Sequence, residues 1–137
     1  MDSPLLPSVR FQNCPIRTSL GVLGKRWTLL VLRDIGFLKV DRFNQILRTL
    51  PGLTPRVLAM RLRELEQEGF IKQIEVQKTP RIVRWGLTAK GEDTLPILMG
   101  LIGFGSKWYP EVVFADSQPR TPEELFPKRV KYNPVIR

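Results

Sequence analysis

Charged side chains of opposite sign divide one stretch of this chain, LPGLTPRVLAMRLRELEQEGF, which runs from Leu50 to Phe70. Three arginines occupy its first half and three glutamates its second half, namely Arg56, Arg61, Arg63, Glu64, Glu66 and Glu68. Guanidinium groups bind phosphate oxygens and carboxylates repel them. The residue types therefore predict contact with a polyanion through the first half, as in a helix that enters the major groove of DNA by its N-terminal end.

This stretch is predicted to be one helix, because residues at both of its ends favour a helix boundary. Thr54 is a candidate N-cap, Pro55 suits the first helical position, and Gly69 suits a C-terminal stop. At about 100° per residue, leucines form one stripe and mostly polar residues form the opposite one. The leucine stripe consists of Leu58, Leu62 and Leu65. The opposite stripe consists of Arg56, Met60, Arg63 and Gln67, with Ala59 beside them. An amphipathic surface helix with a solvated charged face explains this pattern equally well, so the neighbouring segments must decide.

A shorter helix is predicted immediately before this one, with Asp41 as its cap. Apolar and polar residues alternate there at helical spacing. The side expected to be buried holds Phe43, Ile46, Leu47 and Leu50, and the displayed side holds Arg42, Asn44, Gln45 and Arg48. Pro51 and Gly52 end the helix. Because the connection is so short, the two helices must cross at a steep angle, which is the geometry of a helix-turn-helix.

Two β-type runs follow Gly69, one up to Val76 and one from Ile82 to Leu87. The turn between them, QKTPR, carries Lys78 and Arg81. A hairpin with a basic tip after a helix-turn-helix is typical of a winged helix, whose wing lies along phosphates or enters the minor groove. An ordinary solvated hairpin is the alternative.

The first and last helices carry more apolar surface than a small core needs. Ile16, Leu20 and Leu23 recur at helical spacing, and the segment KRWTLLVLRDIGF should be central to the core. Thr88 should cap a last helix, which Pro96 bends or begins. We expect a homodimer in which the interface includes Ile16, Leu20, Leu98, Ile102 and Trp108.

Composition excludes several classes of protein. The chain contains no histidine and a single cysteine, Cys14, so a structural zinc site, an intramolecular disulfide and a histidine-based catalytic pair are excluded. We expect no enzyme, no metal and no cofactor. The net charge of +9, most of it between residues 15 and 109, favours a nucleic-acid partner, although it also serves solubility or nonspecific binding. No apolar run could cross a membrane and no signal peptide is evident, which predicts a cytoplasmic, nucleoid-associated protein.

Three segments are expected. Residues 1–13 form an extended arm, residues 14–109 a mainly α domain with a small β-hairpin wing, and residues 110–137 a proline-punctuated extension that straps onto the body or the dimer.

Several collinear motifs between about residues 14 and 109 resemble the HxlR-type winged helix-turn-helix transcriptional regulators, which are related in architecture to the MarR group. The motifs are CPI at residues 14–16, GKRW at 24–27, LVLRD at 30–34, RFNQI at 42–46, LPGLTPRVL at 50–58, RLRELE at 61–66 followed by Gly69, LT at 87–88 and KG at 90–91. Two departures fall in the hairpin. Arg84 and Trp85 stand where such proteins usually carry an acidic residue and a tyrosine, and the first strand lacks the arginine usual soon after Gly69.

The resemblance implies a homodimer that binds a pseudo-palindromic operator in double-stranded DNA and represses, or less often activates, transcription. By position it implies base reading by Thr54, Arg56, Val57, Met60, Arg61 and Arg63, phosphate contacts by Arg42, Asn44 and Arg48, and wing contacts by Lys78 and Arg81. Arg56 is the side chain expected to reach a guanine.

In some relatives a cysteine at the position of Cys14 senses oxidants or electrophiles. The N-terminal end of a helix stabilises a thiolate, and Arg10 or Arg17 would add to the effect. A cysteine beside a proline can also be a small buried apolar residue. Because Cys14 is the only cysteine, any disulfide must join two subunits or a small thiol.

A second function is also consistent with the sequence. The chain could be a winged-helix module that binds a protein partner in a transcription or RNA-processing assembly and contacts nucleic acid only nonspecifically. Exposed Arg56 and Arg63 favour the DNA-binding regulator, whereas an adaptor would display more apolar residues than Val57 and Met60. A cavity at the dimer interface could hold a small apolar or aromatic effector, but no residue pattern identifies one.

Overall fold

The computed structural model of the chain describes residues 2–127, so the first residue of the expected arm and residues 128–137 of the expected extension lie outside the described residues. The helices are α1 (Pro15–Leu23), α2 (Thr28–Arg33, continued by a π-helical turn, Asp34–Leu38), α3 (Phe43–Thr49), α4 (Pro55–Gln67), α5 (Ala89–Glu92), α6 (Leu95–Trp108), α7 (Pro110–Val113) and α8 (Pro122–Leu125). The strands are β1 (Ile71–Lys78) and β2 (Arg81–Leu87). The predicted fold class, mainly helical with one hairpin, is confirmed.

One apolar core joins α2, α3, α4 and the first half of α6. Leu32, Ile46 and Leu58 are fully buried at its centre, and Leu95 brings α6 onto the same core. KRWTLLVLRDIGF is central as expected, although its helix begins only at Thr28 because Trp27 has a positive φ of 77°. Helices that share one core this closely hold the displayed residues in fixed relative positions.

The turn between α3 and α4 has the residues that its backbone requires. Gly52 has a φ of 95°, which suits a residue without a side chain, and its Cα faces the Trp27 ring. The Thr54 hydroxyl accepts a hydrogen bond from the Val57 N–H at 3.2 Å. Gly69, with a φ of 81°, follows the end of α4. The predicted N-cap at Thr54 and the stop at Gly69 are confirmed.

The predicted cap at Asp41 is wrong. The residue at the N-cap position of α3 is Arg42, and no side chain caps this helix. The Asp41 carboxylate instead accepts two hydrogen bonds from the Arg84 guanidinium, at 2.9 and 3.2 Å. Both bonds end on the same carboxylate oxygen, Oδ2, and hydrogen bonds between charged groups are stronger than a bond to a backbone amide, so the carboxylate turns toward the hairpin.

The hairpin is antiparallel, and Lys78 pairs with Arg81 at its tip. The register shifts between Gln73 and Glu75, so that Glu75 lies opposite Arg84. This irregularity accounts for the loose alternation of the first strand, because a bulge reverses the faces on which later side chains lie.

The predicted last helix is divided into α5 and α6. The Thr88 hydroxyl accepts from the Gly91 N–H at 3.1 Å, so Thr88 caps α5 as predicted, and Pro96 lies in the first turn of α6. After α7 the chain turns back and packs on α6, where Pro122 lies against Gly103. No helix among the described residues is long and apolar enough to cross a membrane.

Candidate nucleic-acid interface

Helix α4 has a buried side and a displayed side along its whole length. Leu58, Leu62 and Leu65 are buried in the core, whereas Arg56 and Arg63 are exposed on the other side. Two turns of helix separate the two arginines, which is about 10 Å along the axis. The leucines therefore fix the direction in which the two guanidinium groups face.

A groove lies between α3, the middle of α4 and the hairpin, with a volume of about 830 Å³. Five of the residues predicted to bind DNA line it, namely Arg42, Asn44, Arg48, Arg63 and Arg81. Phe43 and Trp85 contribute aromatic walls, and Glu66 is the acidic residue among those that line it. The groove thus gathers arginines from three elements on one side of the molecule, and these can neutralise successive phosphates.

The other predicted contacts lie beyond this groove. Thr54 caps α4, and Arg56, Val57 and Met60 lie in its first half, outside the set that lines the groove, to which α4 contributes Ala59, Leu62, Arg63 and Glu66. Arg56, Ala59 and Arg63 follow one another at helical spacing, so the displayed side of α4 continues into the groove. Lys78 is exposed at the tip of the hairpin.

Arg61 differs from the other predicted DNA contacts because its guanidinium faces the protein. Its side chain is only 15% exposed, its Nε donates to the Arg26 carbonyl at 2.8 Å, and Nη1 lies 3.1 Å from the Glu64 carboxylate. Glu64 also accepts from Lys25 at 3.0 Å, and this hydrogen bond is the main cause of a lowered Glu64 pKa, with a further contribution from Arg61 against the effect of burial. Arg61 thereby holds α4 against the turn before α2.

Sequence reasoning missed the contacts of Arg84. Its Nη1 donates to the Glu75 carboxylate at 2.9 Å, in addition to the two bonds to Asp41. These bonds, first those to Asp41, raise the Arg84 pKa above its ordinary value. Arg84 meets Glu75 because the register of β1 shifts, and it meets Asp41 because a segment 43 residues away packs against the hairpin. No local sequence pattern indicates either of these features.

A buried carboxylate, Asp34, was also missed. It is fully buried and accepts from Arg33 at 2.8 and 3.0 Å, and its second oxygen accepts from the Thr49 hydroxyl. Thr49 is the last residue of α3, so this contact fixes the end of α3 that leads into the turn. Asp34 lies on a helix among apolar residues, and this local pattern does not indicate that Thr49, 15 residues along the chain, is its partner.

Cys14 directly precedes α1, as predicted. It is exposed, so the alternative that it is a small buried apolar residue is wrong. With Arg17 and Thr18 it lines a shallow depression of about 400 Å³. Its backbone carbonyl accepts from the Thr18 N–H at 2.9 Å. Among the described residues, no group of three or more His, Cys, Asp or Glu side chains lies close enough to bind a metal ion.

The residues predicted for a dimer interface do not all face outward. Ile16, Leu20 and Trp108 are 72%, 54% and 60% exposed, and Ile102 is half-buried. Leu98 is buried in the core of its own chain, because that side of α6 packs on α2. Leu101 and Phe104 are exposed instead. A shallow apolar groove, which Leu20, Leu29 and Ile97 help to line, lies between α1 and α6.

A helix-turn-helix followed by a hairpin with a basic tip defines a winged helix-turn-helix protein of the DNA-binding class. The model of the family described as HxlR-like helix-turn-helix matches residues 22–113. The chain therefore belongs to the HxlR-like helix-turn-helix family, and it is a transcriptional regulator with this fold.

Individual relatives agree with this assignment. The uncharacterized HTH-type transcriptional regulator sll1512 of Synechocystis sp. is 37% identical over 95 residues, which cover 69% of this chain and 70% of that protein. A solved chain of Porphyromonas gingivalis W83, assigned to the MarR family of transcriptional regulators, matches at 28% identity with a TM-score of 0.60 and covers 72% of this chain and 96% of its own. The reduced form of the transcriptional regulator YodB of Bacillus subtilis matches at 29% identity with a TM-score of 0.57, covering 71% of this chain and 95% of its own.

Proposed function

We propose that the protein is a homodimeric, sequence-specific repressor that binds a pseudo-palindromic operator in double-stranded DNA. The observation that carries the proposal is the continuous basic surface formed by the displayed side of α4 and the groove beside it, from Arg56 through Arg63 to Arg42, Arg48 and Arg81. In this proposal α4 enters the major groove with its N-terminal half, and Arg56 reads a guanine. The arginines of the groove and the wing tip bind phosphates and position the helix.

Binding to DNA that covers the protein's own upstream region, compared with a scrambled duplex of equal length, tests the proposal. The wild type should prefer its own region by roughly a thousandfold, and Arg56→Ala should remove most of that preference. Lys107→Gln is the matched control, because it removes one exposed positive charge from α6, far along the chain from the helix-turn-helix. It should leave the preference unchanged. Equal binding of both duplexes by the wild type, with only a steep salt dependence, would contradict specific recognition.

The homodimer is supported by the large apolar side chains that α1 and α6 expose, among them Ile16, Leu20, Leu101 and Phe104, because clustered exposed apolar residues mark interaction surfaces. Leu20→Glu should convert the dimer to a monomer in sedimentation equilibrium, because it places a charge in the proposed interface. Leu38→Glu is the matched control, since Leu38 is equally exposed but lies after α2. A wild-type monomer at all concentrations, or equal effects of the two changes, would contradict this interface.

We also propose that Cys14 makes DNA binding sensitive to oxidants. Its exposure beside Arg17 supports this role, as does the likeness to YodB, a regulator solved in a reduced form. A thiol oxidant should produce a disulfide between two Cys14 thiols, or between Cys14 and a small added thiol, with loss of two electrons to the oxidant. DNA release on oxidation should vanish in Cys14→Ser. Release that persists in this variant would contradict the role.

The interaction module is the alternative that these measurements also address. If the wild type binds neither duplex at low salt, the basic surface does not serve DNA and the module becomes the better account. Val57 is half-buried, so Met60 is the large apolar side chain that α4 displays, which favours DNA over an apolar partner surface.

A further inference from the structure

We propose that Arg84 is a positioning residue that holds the wing against the N-terminal end of α3, so that Lys78 and Arg81 reach DNA at a fixed distance from α4. The wing here means residues 71–87, the two strands and their turn. This inference rests on the proposed function for its consequence, but the contact itself can be tested without DNA.

The geometry ties three segments through one side chain. From β2, the Arg84 guanidinium donates to Asp41, which precedes α3, and to Glu75 on β1. Backbone contacts accompany the side-chain bonds, because Arg42 and Arg84 form a β-bridge and the Trp85 N–H donates to the Asp41 carbonyl at 3.0 Å. The wing is therefore joined to the helix-turn-helix at this point by both main chain and side chain.

Apolar packing does little to hold the outer part of the wing. In β1 only Ile71, at the base of the hairpin, is buried, and the rest of the strand is exposed. In β2 the side chains are at most half-buried. A partly exposed hairpin can tilt on its base, and the directional bonds of a guanidinium oppose such a tilt because they require a fixed plane.

The consequence for DNA binding follows from the distance between Arg84 and the wing tip. Arg81 lies three residues from Arg84, about 10 Å along an antiparallel strand. A small rotation at the base of the wing therefore moves Arg81 and Lys78 away from the phosphates that the groove arginines bind. Since the donors of Arg84 are already bonded to carboxylates, Arg84 acts through the wing and not by contact with DNA.

The contact with the body is tested first by amide exchange in the free protein. In Arg84→Gln the Trp85 amide should exchange about tenfold faster, because its bond to Asp41 opens more often. The Thr88 amide, which donates to the Phe70 carbonyl at 3.0 Å at the base of the same hairpin, is the internal control and should keep its rate. Unchanged exchange at Trp85 would overturn the inference, and equal acceleration at both amides would too, because it would mean general loosening.

Salt-dependent DNA binding tests the consequence. Each phosphate contact contributes about 0.9 to the slope of log affinity against log salt concentration. Arg84→Gln should therefore lower the slope by nearly two, and the double change Lys78→Gln and Arg81→Gln should lower it by the same amount. Combining all three changes should lower it no further. Asp41→Asn should act like Arg84→Gln, and the two together should be no worse than either alone.

An unchanged slope in Arg84→Gln, or fully additive losses with Lys78→Gln and Arg81→Gln, would overturn the inference. Arg84→Lys keeps the charge but lacks the planar group whose three nitrogens bond Asp41 and Glu75 together, so it should behave like Arg84→Gln and not like the wild type. If the wild type shows no preference for its own upstream region, the proposed function fails, whereas the exchange rates at Trp85 and Thr88 still decide whether Arg84 positions the wing.

Discussion

Helix α4 and the wing both contribute an arginine, Arg63 and Arg81, to the same groove, but different forces hold the two elements in place. Three leucines of α4 are buried, two of them at 0% and 1% exposure, so the helix is fixed by apolar packing. The wing buries only Ile71 of β1, and Trp85 and Leu87 of β2 are partly buried against the core. The bonds of Arg84 to the Asp41 carboxylate and of the Trp85 N–H to the Asp41 carbonyl join the wing to the body. Burial therefore sets the position of α4, which is proposed to read bases. Charged and backbone hydrogen bonds set the position of the outer wing, which is proposed to contact phosphates.

Because different forces hold α4 and the wing, the salt concentration should affect the two elements differently. Apolar packing depends little on salt, whereas ion pairs at the surface weaken as salt is added, because the screening length falls from about 10 Å at 0.1 M to about 3 Å at 1 M. Salt should therefore weaken the placement of the wing as well as its contacts with phosphate, while α4 keeps its orientation.

Removing an anchor of α4 should have the largest effect. Leu58→Ala should destabilise the protein by about 2 to 5 kcal/mol, because it leaves a cavity at a fully buried position. Met60→Ala, on the displayed side of the same helix, is the control and should cost less than about 1 kcal/mol. Urea denaturation measures both. Equal losses would mean that α4 is not held by its leucines.

The cap of α4 should have an intermediate effect. Thr54→Ala removes the acceptor of the Val57 N–H and should cost about 1 kcal/mol, whereas Thr54→Ser, which keeps the hydroxyl, should cost only a few tenths. Thermal unfolding followed by circular dichroism measures the difference. If the two variants are equally unstable, the hydroxyl is not the stabilising group.

The ionic contact of α4 with the turn before α2 should have the smallest effect, and it should depend on pH. The pKa of Glu64 is lowered from 4.5, mainly by the hydrogen bond from Lys25. The contribution of the Glu64 carboxylate to the free energy of unfolding is therefore fully present above pH 4.5, and it is lost as the pH falls through the lowered pKa of the folded protein. Because the carboxylate is 30% exposed, the contribution should be below about 1 kcal/mol.

The free energy of unfolding, measured for the wild type and Glu64→Gln at pH 7 and at pH 3, isolates this contribution. The gap between the two proteins should narrow at pH 3. A gap that is constant, or wider at low pH, would show that the charge of Glu64 does not stabilise α4.

The elements of the fold could be predicted because their signals are local. Thr54, Pro55 and Gly69 mark the ends of α4 within a few residues of the backbone groups that they serve, and the leucine stripe needs only helical spacing. The same reasoning separated Arg56 from the core side. These features do not depend on where the rest of the chain lies.

The parts that could not be predicted depend on distant partners. Arg61 bonds to the Arg26 carbonyl, 35 residues away, and Asp41 to Arg84, 43 residues away. Neither the family resemblance, which implies base reading by Arg61, nor the local pattern, which makes Asp41 a cap, shows the distant group that each side chain meets. Leu98 was assigned to an interface because spacing cannot distinguish burial within one chain from burial between two.

Hydroxyl-radical and methylation-interference footprints of the protein on its own upstream duplex test the central proposal most directly. A homodimer that reads DNA with α4 should give two symmetric major-groove contacts about 34 Å apart, each flanked by a backbone contact from the wing. Arg84→Gln should weaken the flanking contacts and keep the central ones. A single contact without symmetry, or protection spread evenly along the duplex, would contradict the account.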